Sequence, residues 1–288
     1  MSSILVTGAS RGIGMATCLS LGRAGHEVYA AMRNPSRAPE LGAAAAAESL
    51  PIIVLAMDVD SDESVRETVA QIVAEKGPLD ALVNNAGIER RGSVEELDLA
   101  EFKAVMETNY FGPIRCMQAV LPSMRTQGGG CIINVTSVSG RIAAAPFAPY
   151  SASKFALEAL SETLAQEVKA HGIRVAIVQP GITDTDMAKS ITRAPDTSIY
   201  PHNRRMANLF AASLQNPTGP EVAGDLIRKI IEGDSWQLRY PTGPDAEPFL
   251  GWRAGMTDEE WVEWGAADDQ TWYDAVERDF GFDARPKS

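Results

Sequence analysis

The sequence predicts a single α/β domain in which a parallel sheet is doubly wound by helices into three layers. Short β-branched runs alternate with longer helical stretches, and the first run leads directly into a glycine-rich turn and a helix. The runs fall at residues 4–6, 28–31, 52–55, 81–83, 132–135 and 175–178. They are short and apolar, as suits strands buried on both faces. Helical stretches lie between them at 12–24, 61–75, 100–125 and 150–170, and an alanine run at 43–47 reads as further helix.

After Pro180-Gly181 the alternation breaks. Residues 182–218 mix polar and apolar side chains around Pro195, Pro201 and Pro217, which reads as a flexible lid. A helix at 220–232 and a strand at 236–240 complete the domain, taken as residues 1–240. The extension 241–288 holds Trp252, Trp261, Trp264 and Trp272, four of the chain's five tryptophans. Thr257-Asp-Glu-Glu260 has the form of a capping box opening a helix, in which Trp261 and Trp272 project from nearly the same side. Such a tail should dock rather than dangle. Plain packing on the domain is favoured over a role at the cleft or at a subunit interface.

With 288 residues and 45% hydrophobic content, the chain is long enough for one large core. A formal net charge of −12 and the lack of a basic stripe argue against nucleic acid and anionic membrane surfaces. No apolar stretch approaches the roughly 20 residues that span a bilayer, and the strand at 4–6 leaves no room for a signal peptide. A cytoplasmic location is the expectation. Cys18, Cys116 and Cys131 are odd in number and set among apolar neighbours, so they read as reduced packing residues. With only His26, His171 and His202, neither a histidine-based triad nor a metal centre is expected.

Two motifs carry chemistry. Thr7-Gly-Ala-Ser-Arg-Gly-Ile-Gly14 follows the first strand and opens the first helix. Glycines there let the backbone approach a pyrophosphate, and the helix N-terminus offers unpaired N–H groups and a positive dipole end. Tyr150-Ser-Ala-Ser-Lys154 places a phenol and an ammonium one turn apart on a helix face. A free phenol titrates near 10, and a neighbouring cation favours the phenolate, so the two side chains form a candidate proton-transfer pair. Ser137, just past the 132–135 run, is placed to bring a hydroxyl over the same cleft.

The Gly-x-x-x-Gly-x-Gly spacing, Asn84-Asn-Ala-Gly87, Asn109, Ser137, Tyr150 with Lys154, and Pro180-Gly181 followed by Thr185 resemble the short-chain dehydrogenase/reductase (SDR) family. The resemblance implies a Rossmann-like domain with a seven-stranded parallel sheet and a nicotinamide cofactor across the strands' carboxyl ends. It also implies roles. Tyr150 is the general acid in carbonyl reduction and the base in alcohol oxidation, Ser137 holds the substrate oxygen, and Lys154 bonds the nicotinamide ribose and lowers the tyrosine pKa. Asn109 anchors a water in a proton relay from Lys154. Gly8, Ser10, Arg11, Gly12, Ile13 and Gly14 cradle the phosphates, while Asp58 and Val59 receive the adenine. Asn85, Ala86 and Gly87 back the adenosine ribose, and Pro180, Gly181, Thr183 and Thr185 line the nicotinamide, with Thr185 on its carboxamide.

The second strand ends in Met32-Arg33 without an acidic residue for ribose hydroxyls, so Arg33, helped by Arg11, favours NADP(H) over NAD(H) through a 2′-phosphate. Ile142, Ala143, Pro146, Phe147, Met187 and Ile191, with residues near Tyr200, should wall a mostly apolar substrate cleft, against which Arg90 and Arg91 weigh. The expected reaction interconverts a ketone or aldehyde and its alcohol on a lipophilic small molecule. Reduction of a carbon–carbon double bond and NADP sensing without turnover are the alternatives. By the same resemblance a homodimer or homotetramer is expected, paired through the 100–125 and 150–170 helices.

Overall fold

The computed structural model describes residues 1–193 and 197–286, so Pro195 of the lid and the last two residues of the tail lie outside the described residues. In chain order the elements are β1 (Ser3–Thr7), α1 (Gly12–Arg23), β2 (Glu27–Met32), α2 (Glu40–Ala47), β3 (Ile52–Ala56), α3 (Asp62–Lys76) and β4 (Ala81–Asn84). There follow α4 (Leu99–Met106), α5 (Gly112–Gln127), β5 (Gly130–Val135), α6 (Ala148–Val168) and β6 (Ile173–Pro180). The lid carries α7 (Asp186–Ile191) and α8 (His202–Ser213), and the chain closes with α9 (Glu221–Glu232), β7 (Arg239–Thr242), α10 (Ala246–Ala254), α11 (Asp258–Ala266) and α12 (Asp269–Phe280).

The strands form one seven-stranded sheet in the order β3-β2-β1-β4-β5-β6-β7, with every neighbouring pair parallel. The order reverses between β1 and β4, which opens a crevice at the carboxyl ends of those strands. Parallel pairing requires crossover helices, and these cover both faces. One core holds Leu5, Leu82, Ile132, Val120, Met124 and Leu164 between the sheet and α3, α5 and α6. The other holds Ile4, Val6, Val83, Ile133, Leu21 and Ile227 beneath α1 and α9. Successive residues of β1, β4 and β5 therefore point into opposite cores, and both faces are apolar.

Three expectations are corrected. The helix expected at 100–125 is broken by a wider π turn at Glu107–Phe111, because Pro113 has no N–H to donate back along the helix and starts a new segment instead. The strand expected at 236–240 runs from Arg239 to Thr242, pairing Arg239 with Ile177 and Thr242 with Pro180. Pro241 is accommodated because β7 is an edge strand, and the domain boundary set at residue 240 falls inside it. The capping box at Thr257 forms, but its helix stops at Ala266. Asp268 accepts a hydrogen bond from the Thr271 N–H at 2.8 Å and caps a new helix, so Trp261 and Trp272 sit on separate helices.

The tail docks on the lid. Trp272, Tyr273 and Val276 share a cluster with Met206 and Leu209 of α8 and with Phe147 and Ile182 beside the crevice. Arg205, 2% exposed, donates to the Ala267 carbonyl at 2.7 Å and to Asp269 at 2.8 Å. Trp261 and Trp264 stack with ring centres 5.1 Å apart, and Trp252 meets both edge-on.

A buried carboxylate ties α6 to the sheet. Glu158, 3% exposed, accepts from Thr136 Oγ1 at 2.8 Å, Gln179 Nε2 at 3.0 Å and Arg239 Nε at 2.8 Å. Removing it takes the acceptor from Gln179 and Arg239 at the β6–β7 edge, while Thr136 Oγ1 keeps the Val178 carbonyl at 3.2 Å. Glu158→Leu is expected to cost about 2–3 kcal/mol, below the usual range for a broken buried pair because Arg239 is partly exposed and can turn to water. Urea unfolding, read as a shift in midpoint, checks this.

Candidate active site

The chain leaves β1 at Thr7 and turns through Gly8 and Gly12, at φ 66° and 56°, into α1. A Cβ at Gly8 would lie 2.7 Å from Ala86 Cα, and one at Gly14 would lie 2.3 Å from the Gly8 carbonyl oxygen. The turn is pressed against the segment after β4, where only glycine fits. Asn85 Nδ2 donates to the Thr7 and Gly8 carbonyls at 3.0 and 3.1 Å, while Thr7 Oγ1 accepts from the N–H groups of Asn85 and Ala86 at 3.1 and 3.0 Å. The Asn85 amide is thus taken up in bracing the turn, in keeping with the partly structural part expected of the Asn84–Gly87 segment. Thr7 was not anticipated. A hydroxyl at a strand end directly before the first glycine is the signal that marks it.

The start of α1 is open to an anion. Arg11 at its N-cap makes no side-chain cap, no acidic residue occupies the first turn, and the first intrahelical bond is from Met15 N–H to Arg11 O. The N–H groups of Gly12, Ile13 and Gly14 precede it and have no helical partner. Such an end fits a pyrophosphate. Thr185, the N-cap of α7, lies against this turn, with Cγ2 3.2 Å from where a Cβ on Gly12 would stand. Arg11 is exposed and reaches Asp186 at 3.2 Å. Arg33 is also exposed, just past β2, and its charge is felt by the Asp60 carboxyl. Asp58 accepts the Asp60 N–H at 3.1 Å, and Val59 is buried beside it.

The four candidate catalytic residues converge at the carboxyl edge of β5. Lys154, 4% exposed, donates from Nζ to the Val135 carbonyl at 2.9 Å and lies 5.6 Å from the centre of the Tyr150 ring. Asn109 is fully buried on the π turn, where Oδ1 accepts from Ile88 N–H at 2.8 Å and Nδ2 donates to the Ile88 carbonyl and Ser153 Oγ at 2.9 and 3.0 Å. Gly87 lies between them. A Cβ there would stand 3.3 Å from Asn109 Oδ1 and 3.7 Å from Lys154 Nζ. Ser137 caps a short 3-10 turn by accepting the Ser139 N–H at 3.1 Å and bonds the Pro180 carbonyl at 3.5 Å, and its hydroxyl is near enough to act on the Tyr150 phenol.

Burial, rather than the neighbouring lysine, dominates the phenol. It pushes Tyr150 up to about 12 against the opposing Ser137 hydrogen bond, and the Glu89 charge adds to the rise. Tyr150 is therefore protonated at neutral pH. Burial likewise pulls Lys154 down to about 8, with Glu158 acting in the other direction. The cysteine thiols are buried and raised, which leaves them chemically quiet.

Beyond β6, Gly181 is required because Asp245 packs on it, with Oδ1 2.1 Å from the position of a Cβ. Asp245 Oδ2 accepts the Ile182 N–H at 2.7 Å and steers the chain out of Pro180-Gly181 toward Thr183 and Thr185. Nothing in the sequence near residue 181 pointed to this tail residue. Thr183 is buried and bridges to Thr218 at the far end of the lid. Phe147, Ile182 and Ile191 join the lid and tail cluster, and Tyr150 packs at its edge. Of the two arginines weighed against an apolar cleft, Arg90 is paired with Glu101 and Arg91 with Glu89, both at 2.6 Å. Ala143 is exposed, and its carbonyl accepts from Trp261 Nε1 at 3.2 Å, while Tyr200 donates to Glu95.

A seven-stranded parallel sheet with a glycine turn at its switch point and a Tyr-x-x-x-Lys helix beside it defines a nicotinamide-dependent oxidoreductase fold. The profile of the short chain dehydrogenase family matches residues 2–196, and the chain belongs to that family. It is 37% identical over 248 residues to a 3-ketodihydrosphingosine reductase of Bacteroides thetaiotaomicron, covering 84% of this chain and 87% of that one. It superposes on a short-chain dehydrogenase from Streptomyces avermitilis with a TM-score of 0.77 at 33% identity, covering 92% and 96% of the two chains. A metagenomic short-chain oxidoreductase solved with NADP gives a TM-score of 0.68 at 26% identity, covering 83% and 96%. Among the described residues no helix is long and apolar enough to cross a membrane.

The buried lysine predicts a trade of stability for function. Folding lowers its pKa from 10.5 to about 8, so the folded state disfavours the ammonium fully below pH 8 and progressively less as the pH rises toward 10.5. Lys154→Met is expected to stabilise the cofactor-free protein by about 1–3 kcal/mol at pH 7, after allowing for the lost bond to Val135. The gain should shrink between pH 8 and 10.5. Thermal unfolding of both proteins across that range measures it.

Proposed function

We propose that the protein is an NADP(H)-dependent carbonyl reductase or alcohol dehydrogenase acting on a lipophilic small molecule, with Tyr150 as the general acid and base. The observation that carries this reading is the convergence of a protonated Tyr150, with Ser137 acting on its phenol, on a buried Lys154 and Asn109 at the mouth of the crevice. The relative named for a keto-compound reductase supports the reaction class, and the neighbour bound to NADP supports the cofactor.

The residues present fit a dinucleotide, since the uncapped α1 end and the glycine turn leave room and N–H donors for a pyrophosphate. Gly8, Ser10, Gly12, Ile13 and Gly14 would hold the phosphates, Asp58, Val59, Asn85, Ala86 and Gly87 would receive the adenosine, and Pro180, Gly181, Thr183 and Thr185 would line the nicotinamide. When bound, the nicotinamide supplies or accepts the two electrons and hydrogen exchanged at the substrate carbon. Ser137 and Tyr150 donate toward the substrate oxygen, where negative charge grows during reduction. A phenol held near 12 keeps its proton until that charge develops, then gives it up. Lys154 Nζ lies beside the Tyr150 ring, where an ammonium stabilises the phenolate left behind. Asn109 opens a path for reprotonation, its amide fixed by Ile88 on one side and Ser153 on the other. Phe147, Ile182 and Ile191, with the lid and the tail, keep water from the apolar side of the substrate.

Arg33 and Arg11 are the exposed cations that would pair with an adenosine 2′-phosphate. Arg11 is paired with Asp186, but both are largely exposed, and an exposed pair of this kind is worth about 0–1 kcal/mol, so a phosphate competes readily. The exposed Phe111 and Phe155, on the π turn and on α6, support self-association through these helices.

NADPH and NADH oxidation against bulky ketones, aromatic aldehydes, sugars and activated alkenes tests the reading. Turnover of ketones or aldehydes with NADPH is expected, and binding without any turnover identifies a sensor. Tyr150→Phe is expected to lower kcat by about 10²–10⁴-fold while fluorescence titration shows NADPH affinity nearly unchanged. Arg33→Ala should weaken NADPH by about tenfold or more and NADH little, and equal effects remove Arg33 from the phosphate site.

A further inference from the structure

The chain that leaves β6 crosses the crevice from one part of the site to the other. At its start the Pro180 carbonyl accepts from Ser137 Oγ at 3.5 Å, and at its end Thr185 Cγ2 lies 3.2 Å from where a Cβ on Gly12 would stand. Residues 181–184 therefore join the serine beside Tyr150 to the glycine turn at the start of α1. Main-chain bonds hold both ends of this stretch, with Gly181 N–H donating to the Thr242 carbonyl at 3.0 Å and Asp184 N–H to the Thr218 carbonyl at 2.8 Å. In its middle, Ile182 N–H donates to Asp245 Oδ2 at 2.7 Å. Through Ile182 the same bond places a side chain in the cluster at whose edge Tyr150 packs.

Asp245 is not used as its place in the tail would suggest. It is the N-cap of α10, where an aspartate ordinarily accepts from an N–H of the first helical turn, yet it makes no such bond. Its carboxylate turns instead to a residue 63 positions earlier and packs so closely that only glycine fits at 181. Burial raises its pKa, with the Ile182 bond acting in the other direction. An uncapped helix and a desolvated carboxylate are both unfavourable. Attachment of the tail does not call for them, since β7 is already paired with β6 and Arg205 of α8 is bonded to Asp269 of α12. What the bond supplies is a fixed course for the chain between Gly181 and Thr183.

We infer that Asp245 is a positioning residue which, by holding Ile182 N–H, sets residues 181–185 against the nicotinamide half of the bound dinucleotide, so that a residue of the tail governs cofactor affinity. It lies beyond residues 2–196, the part of the chain that the family profile matches. The inference rests on the dinucleotide reading proposed above and adds to it a contribution from outside that part.

Wild-type, Asp245→Ser and Asp245→Asn proteins are titrated by calorimetry with NADPH or NADH, whichever the wild type holds more tightly, and with the matching adenosine half, 2′,5′-ADP or ADP, which carries no nicotinamide. Serine suits a helix N-cap but is too short to reach Ile182, whereas asparagine keeps an acceptor oxygen in place. Asp245→Ser is expected to weaken the whole dinucleotide by about tenfold and the half by less than about twofold, with the thermal midpoint nearly unchanged. Asp245→Asn is expected to stay within about threefold of wild type for both. Equal losses for the whole and the half, no loss in Asp245→Ser, or Asp245→Asn as weak as Asp245→Ser overturns the inference and leaves the dinucleotide reading standing. Wild-type protein that binds neither NADPH nor NADH overturns that reading and the inference with it.

Discussion

The architecture depends on keeping an ammonium out of water. Lys154 is buried at the edge of β5 with one carbonyl partner, and its neighbours along α6 make this tolerable. Tyr150, Lys154, Glu158 and Glu162 recur at every fourth residue, so they form one polar stripe on a helix otherwise packed against the sheet. Glu158 supplies the nearby negative charge and is itself held by Thr136, Gln179 and Arg239. Arg239 comes from β7 and also reaches Glu162. The last strand of the sheet therefore contributes to the electrostatics under Lys154, and a buried charge is retained because a network, not a single partner, accommodates it.

A second constraint is the closeness of backbones at the switch point. The turn after β1 and the segment after β4 touch at Gly8 and Ala86, and Asn85 fills what remains. This contact sets the floor of the crevice. It also fixes where Gly87, Ile88 and Glu89 emerge, and through Ile88 it sets the orientation of the Asn109 amide. The π turn serves the same end. Its wider circuit carries Asn109 toward Ile88 and Ser153, and the proline two residues after the turn ensures that the helix restarts afterwards.

The lid and the tail act as one body over the apolar side of the crevice. Arg205, Trp272 and Tyr273 join α8 to α12, and Trp261 reaches the loop that follows Ser137. Asp245 anchors the other end by bracing Gly181. The tryptophans of the tail are explained by packing on the lid.

The parallel sheet, the glycine turn and the Tyr150–Lys154 helix were legible in the sequence, because alternation, Gly spacing and one-turn spacing are local signals that burial on both faces reinforces. Element boundaries were less so where local and tertiary demands compete. Pro113 split a helix that looked continuous, Asp268 ended one that looked long enough to hold two tryptophans, and edge position moved β7 toward Pro241. Which carbonyls the Asn85 amide braces is shown only by the folded turn. Likewise, the lysine was read as lowering the tyrosine, yet burial raises it, because desolvation is a property of the surrounding packing and not of spacing along a helix. What the sequence by itself determined was the layered fold and the candidate proton-transfer pair, both encoded in short-range pattern. Only the tertiary structure decided that Asp245 braces the chain after Gly181 and that Glu158 is tied to Thr136, Gln179 and Arg239, because these contacts span tens of residues and exist once the chain has closed.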